Sequence, residues 1–276
     1  EVSGRAWPPQ QADREEFGVR GESCVVIDPL SPVARADATG PDGCEDRGDG
    51  PPSPRSTAVT DPAPRPTGAA RFDLTPFERW EAVTLDDVHV GFLHRVLEDG
   101  VLTTRMGFAP TPAQRAARGG LPERYLAQTQ VGFTPDGDGW AWTTHEDSAG
   151  AQRVRIDRER AGIDAAVLPS YAEYLLLARV AAEGPLAVDR LEEASPLQGG
   201  LRVPRAELRP ADAGGSDVRV AVVADGVELG AHLVREGAVV ASDWGGGTAS
   251  TPVADQAAAT AGLDAHVVTF AGLPIA

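Results

Sequence analysis

The chain has 276 residues, enough for one large domain or two small ones. It carries 41 acidic residues against 25 basic ones, a formal net charge of −16, and every one of those 25 is arginine. Such acidity argues against a nucleic-acid partner, whose phosphates need a cationic face, and no apolar run approaches the ~18 residues of a membrane-spanning helix.

Residues 1–70 hold 11 of the 23 prolines and only two aromatics, Trp7 and Phe17. With little apolar surface to offset chain entropy, this stretch is expected to be a disordered, Pro/Gly-rich acidic tail. The chain begins at Glu1, and its only methionine is Met106. A processed N-terminus, a fragment, or a tail translated from upstream of the true start would each explain this; the last two together are the favoured expectation, with Val59 as an alternative start. No signal-peptide pattern is visible, so a cytoplasmic location is expected. The Gly-, Pro- and Arg-rich, lysine-free composition fits GC-rich bacterial coding DNA. Cys24 and Cys44 both lie in the tail. The remaining chain thus offers no thiol for a disulfide framework, a thiolate metal site or a nucleophile, and neither metal nor cofactor is expected.

Residues 71–276 read as a single β-rich domain. Strands are predicted at 77–84 and 88–97, then a Glu98-Asp99-Gly100 turn, then 101–108. A loop follows over 109–122. Further strands are predicted at 125–133, 140–145 and 152–157. The rhythm breaks at Ser170, where Ser170-x-x-Glu173 forms a capping-box pattern and Tyr171, Tyr174, Leu175 and Ala178 recur at helical spacing. Gly184-Pro185 is a stop, which places one amphipathic helix at about 169–183. Strands resume at 186–192, 202–208 and 218–224. Asp225-Gly226 turns the chain into 227–234, and Glu236-Gly237 into 238–244. A short alanine-rich helix is predicted over 252–261, closed by Gly262, with a last apolar run at 266–270. Close-spaced hairpins of this kind give an antiparallel meander. The expected fold is therefore mainly β, a curved sheet or half-barrel whose concave side takes the central helix.

The order sheet, helix, sheet, with Val90-Gly91-Phe92 before the first hairpin and Asp243-Trp244-Gly245 ending the last, resembles the curved half-barrels of the lipoprotein-carrier type and their uncharacterised bacterial relatives. The resemblance covers about 77–245. It implies a scaffold that holds an apolar ligand in its concave face, and it carries no site residue over.

Candidate site residues are few. Thr144-His145-Glu146-Asp147 is the densest titratable run, but neighbours on a strand point to opposite faces, so it reads as a solvated hairpin tip. His89 and His94 lie five apart and should face opposite sides. His94 is in phase with Val90 and Phe92 and is expected inward, where it could act as a base. His94, His145 and Asp243 are the catalytic candidates. Asp243-Trp244-Gly245-Gly246-Gly247-Thr248 could let backbone approach a ligand. It matches no dinucleotide or phosphate-loop pattern, so a flexible strand exit is the simpler reading. Trp140 and Trp142 share one strand face and Tyr171 and Tyr174 one helix face. With Trp244 they are the expected ligand-binding set. The favoured expectation is a non-catalytic scaffold for a lipid or other apolar small molecule. The alternative is a small β-barrel cyclase or hydrolase using an inward His or Asp in the same pocket.

Overall fold

The computed structural model describes residues 72–137, 139–192 and 203–275. The tail expected at 1–70, with Cys24, Cys44 and Val59, lies outside them.

The first half of the domain is a run of six strands: β1 (Phe77–Leu85), β2 (Val88–Glu98), β3 (Val101–Phe108), β4 (Tyr125–Asp136), β5 (Gly139–Ala149) and β6 (Gln152–Asp157). The second half is β7 (Val167–Pro169), β8 (Leu186–Leu191), β9 (Arg205–Gly214), β10 (Asp217–Ala224), β11 (Val227–Arg235), β12 (Ala238–Asp243) and β13 (Thr248–Val253). All thirteen join one sheet in the order β6-β5-β4-β3-β2-β1-β13-β12-β11-β10-β9-β8-β7. Two meanders thus lie side by side, joined where β1 pairs antiparallel with β13. Only β7–β8 is parallel. The predicted turns have the chemistry a tight hairpin demands, because both central residues of Asp99-Gly100, Asp225-Gly226 and Glu236-Gly237 take positive φ.

The sheet is open but strongly curled. Trp142 on β5, one strand from one edge, donates its indole N–H to the carbonyl of Val167 on β7, the opposite edge strand. The concave side so formed is filled by a 3-10 helix, Ser170–Leu176, that runs directly into α2, Leu177–Glu183. Leu176, Leu177 and Val180 pack there against Leu97, Leu102, Trp142, Leu208 and Val220 in the main core. The single α-helix predicted at 169–183 is therefore split. Ser170 makes no cap bond, and the Glu173 carboxylate reaches Arg190 Nε instead (3.1 Å). Ala172, Glu173, Leu175, Leu176 and Leu177 are all buried, and only Tyr171 and Tyr174 stay partly exposed, three apart as a 3-10 turn aligns them. Gly184 ends it with φ 114°, as the stop signal predicts.

Three short α-helices complete the fold. α1 (Pro112–Arg118) forms inside the stretch read as loop, capped by a Thr111–Gln114 box that the sequence contains. The predicted 252–261 helix shrinks to α3 (Gln256–Thr260), because Thr248–Val253 is needed as the strand that joins the two meanders. The 266–270 run becomes α4 (Ala265–Ala271). α3 and α4 cover the convex face, where Ala259, Val267 and Ala271 pack on Trp80 and Phe92. Arg105 projects from β3 on that face and donates to the carbonyls of Leu273 (2.6 Å) and Pro274 (2.9 Å), just past the end of α4. Among the described residues no helix is long and apolar enough to cross a membrane.

Candidate functional site

Bulges decide which side chains share the concave face. The β1–β2 register shifts at Val83/Thr84, leaving Val90 as an extra residue on β2. That slip returns His89 and His94 to the same, convex side, correcting the expectation that they oppose each other and that His94 points inward. His89 Nε2 lies against the Ala259 carbonyl of α3 (3.1 Å), and His94 stacks on Trp80 with ring centroids 3.6 Å apart. His94 bonds Glu78 (3.0 Å), and burial holds its pKa below the ordinary imidazole value despite that partner.

The concave set of β1 and β2 is instead Arg79, Glu81, Leu93, Arg95 and Leu97. Arg79 and Arg95 stand directly opposite each other in the ladder. Like charges so placed repel, and the Glu81 carboxylate lies between them. Glu81 accepts from Arg79 Nε (2.9 Å), from Arg95 Nη1 and from Ser250 Oγ (2.5 Å). Glu81 and Arg95 retain 0 % and 1 % of their surface. Burial pushes the Glu81 pKa up, but Arg95, Arg79 and the Ser250 hydroxyl outweigh it and hold the carboxyl below its usual value. Around this core, Trp244 Nε1 donates to Ser250 Oγ (3.1 Å), and the Trp244 ring meets His232 edge-on. His232 Nδ1 bonds Ser242 Oγ (2.9 Å). Burial, reinforced by Arg95, pushes the His232 pKa down to about 3, so it is neutral at ordinary pH. Tyr174 of the 3-10 helix lies over both guanidinium groups, 4.3 Å from Arg95 Cζ and 5.8 Å from Arg79 Cζ. Burial raises its phenol pKa. Arg79 is the charged member that reaches solvent, with 15 % of its side chain exposed. It borders an open groove of about 440 Å³ shared with Glu78, Trp80, Val253 and Gln256.

A polar row leads away from this cluster. Arg95 pairs with Thr104 on β3, Thr104 with Thr129 on β4, and Thr129 with Asp147 on β5. Asp147 accepts from Thr129 Oγ1 (2.7 Å) and lies 2.8 Å from His145 Nε2. The run Thr144–Asp147 is thus strand, not an exposed hairpin tip. β5 continues to Ala149, and His145 and Asp147, two apart, project to the same buried side.

Five buried polar atoms on this face or on the helix over it have no partner among the described residues: Arg79 Nη2, Arg95 Nε, Thr104 Oγ1, His145 Nδ1 and Ser170 Oγ. Each such atom costs about 1–3 kcal/mol unless something bonds it.

The expected aromatic set divides. Tyr174 and Trp244 meet around Arg95. Trp142 is fully buried in the main core, and Trp140 and Tyr174 pack against that same core. Tyr171, the first aromatic of the 3-10 helix, is half-buried. Asp243 is exposed and accepts from the Gly245 amide (2.8 Å), so it shapes the β12–β13 hairpin rather than the interior. The glycine run read as a flexible exit is a hydrogen-bonded loop, closed by Trp244 N–H to the Thr248 carbonyl (2.9 Å) and by Thr248 N–H back to Gly245 (2.9 Å). Gly245, Gly246 and Gly247 all take positive φ there. Sequence reasoning missed Arg79, Glu81 and Arg95. The signal that could have found them was polar residues at alternate positions of strongly apolar strands, Arg79-x-Glu81-x-Val83 and Leu93-x-Arg95-x-Leu97. Among the described residues no three of His, Cys, Asp and Glu come together as metal ligands. Comparison with protein-family models, with curated proteins and with solved structures finds no match.

Proposed function

We propose that this chain is a non-catalytic binding scaffold that holds a lipid or other apolar small molecule between the concave face of the sheet and the 170–183 helical segment. The observation that carries the reading is the set of five unpartnered polar atoms on that face and on the helix over it, set among the apolar side chains of the core. A ligand with an apolar body and a polar end would fill both needs. Its body would lie along the partly exposed Trp140 and Tyr174, and its polar end would bond the orphaned groups. The likeness to lipoprotein-carrier half-barrels supports the same reading, as does the formal charge of −16 against a nucleic-acid partner. A cytoplasmic setting and a bacterial source belong to this reading and rest on the sequence.

One observation favours a second reading, an enzyme of the small β-barrel type. Asp147 holds His145 through Nε2 and leaves Nδ1 unpartnered, the arrangement of an oriented general base. Among the described residues no second titratable group converges on the same point, which keeps the scaffold reading ahead. Native mass spectrometry of freshly purified protein tests the proposal. The expected result is a bound lipophilic mass released on denaturation. A homogeneous unliganded mass, with no uptake of long-chain amphiphiles added afterwards, would overturn it.

A further inference from the structure

From the arginine cluster we infer that the ligand is an anion, and that its oxyanion end binds the free donors Arg79 Nη2 and Arg95 Nε beside the Tyr174 ring. The inference rests on the scaffold reading and names the chemistry of the polar end. Two guanidinium groups stand opposite each other on adjacent strands, and both are turned to the concave face. A single carboxylate, Glu81, serves both. The other carboxylates near this face are already engaged. Among the described residues, Glu173 is hydrogen-bonded to Arg190, although its charge also reaches Arg95, and Asp147 lies three strands away, held by Thr129 and His145. The cluster therefore carries one positive charge more than it carries negative ones, in a site where Arg95 keeps 1 % of its surface. Uncompensated buried charge is costly, and the cost falls when an opposite charge joins it.

The hydrogen-bond count points the same way. Arg79 Nη2 and Arg95 Nε are donors, both are buried, and both lack an acceptor among the described residues. A guanidinium has no acceptor atoms, so only an acceptor can satisfy them. The flat, two-nitrogen edge of arginine matches an oxyanion, whether a carboxylate or a phosphate oxygen pair. Tyr174 lies over both cations, and the ligand's tail would run along its ring and that of Phe77, which packs beside it. Glu81 is then a competitor as well as a counterion: it lowers the attraction for an incoming anion while keeping the empty cluster tolerable.

Isothermal titration of the purified full chain with dodecanoate, methyl dodecanoate, acetate and inorganic phosphate tests this. The expected result is binding of dodecanoate at least about tenfold tighter than its methyl ester, with the gap erased in Arg95→Gln. Arg79→Gln, at the partly exposed member, should narrow the same gap and covers the case in which Arg95→Gln fails to fold. Glu81→Gln should bind dodecanoate more tightly than the parent, an effect that a purely structural role would not produce. Equal affinity for acid and ester overturns the anion inference and leaves the scaffold reading standing. Acetate or phosphate binding as tightly as dodecanoate upholds the oxyanion site, assigns it to a small free ion and overturns the apolar-ligand reading. Binding of none of the four probes overturns both.

Discussion

Replacing Glu81 by Gln isolates what the buried carboxylate does for the empty protein. The amide would keep the size of the side chain and could still accept from Ser250, but the charge between Arg79 and Arg95 would be gone. Removing one partner of a buried ionic group costs about 3–5 kcal/mol, because the remaining charge is left uncompensated. Glu81 has no exposed surface, so solvent does not screen the loss. Against the ~5–15 kcal/mol that holds a typical domain together, this is a large share. For a domain of this size it corresponds to a Tm lower by about 6–20 °C. Urea unfolding at neutral pH reads the difference directly, and its pH dependence identifies the cause. The folded carboxyl titrates below its unfolded value, so its stabilisation is complete above the unfolded pKa and is lost as pH falls through the folded one. The gap between parent and Glu81→Gln should therefore be widest at neutral pH and close below about pH 4, the ordinary Glu range. A gap of the same size at both ends of that range would refute the electrostatic account and leave only a packing defect.

Three further outcomes are expected. Leu177→Ala, which removes a fully buried side chain from the helix over the concave face, should cost about 2–5 kcal/mol in urea unfolding, whereas Arg179→Ala, whose partner Glu183 is an exposed i,i+4 residue at 2.7 Å, should cost under about 0.5 kcal/mol; equal midpoints would contradict the placement of that helix. His232→Gln should flatten the acid limb of the stability curve: with the folded pKa at about 3, the unfolded chain takes up a proton first, so the parent loses up to about 1.4 kcal/mol per pH unit as pH falls from 6.5 towards 3, and a variant that keeps the parent's slope over that window would show that His232 is not buried as described. Gly91→Ala should destabilise by about 1–3 kcal/mol, because its new methyl would stand 2.4 Å from both the Gly107 carbonyl and Phe108 Cβ on β3; an unchanged urea midpoint would mean that the β2–β3 spacing is wider.

Much of the fold was legible in the sequence because its signals are local. Period-two apolar runs and Asp-Gly or Glu-Gly turns act over short stretches of chain, and they marked β1, β2, β3, β8, β10, β11 and β12 close to their observed bounds. Gly184 stopped the central helix where the sequence said it would. The candidate site was far less legible. A single extra residue at Val90 reverses the face of everything after it on β2, which is why His94 was assigned inward and Arg95 passed over. Arg79, Glu81 and Arg95 look like ordinary surface charges along the chain, since nothing local tells a solvated arginine from one buried against a carboxylate.

Composition, strand rhythm and turn chemistry by themselves determined a mainly β domain with one helix in its middle, because each strand and hairpin reports its own preference. Tertiary structure alone decided that Thr248–Val253 would be a strand, because its partner β1 lies at the other end of the domain and no local pattern encodes that pairing. The same pairing brings Ser250 to Glu81, and the curl of the sheet brings Tyr174 over Arg95. The site exists only where these distant segments meet, because burying three charged side chains is tolerable only when each finds the others.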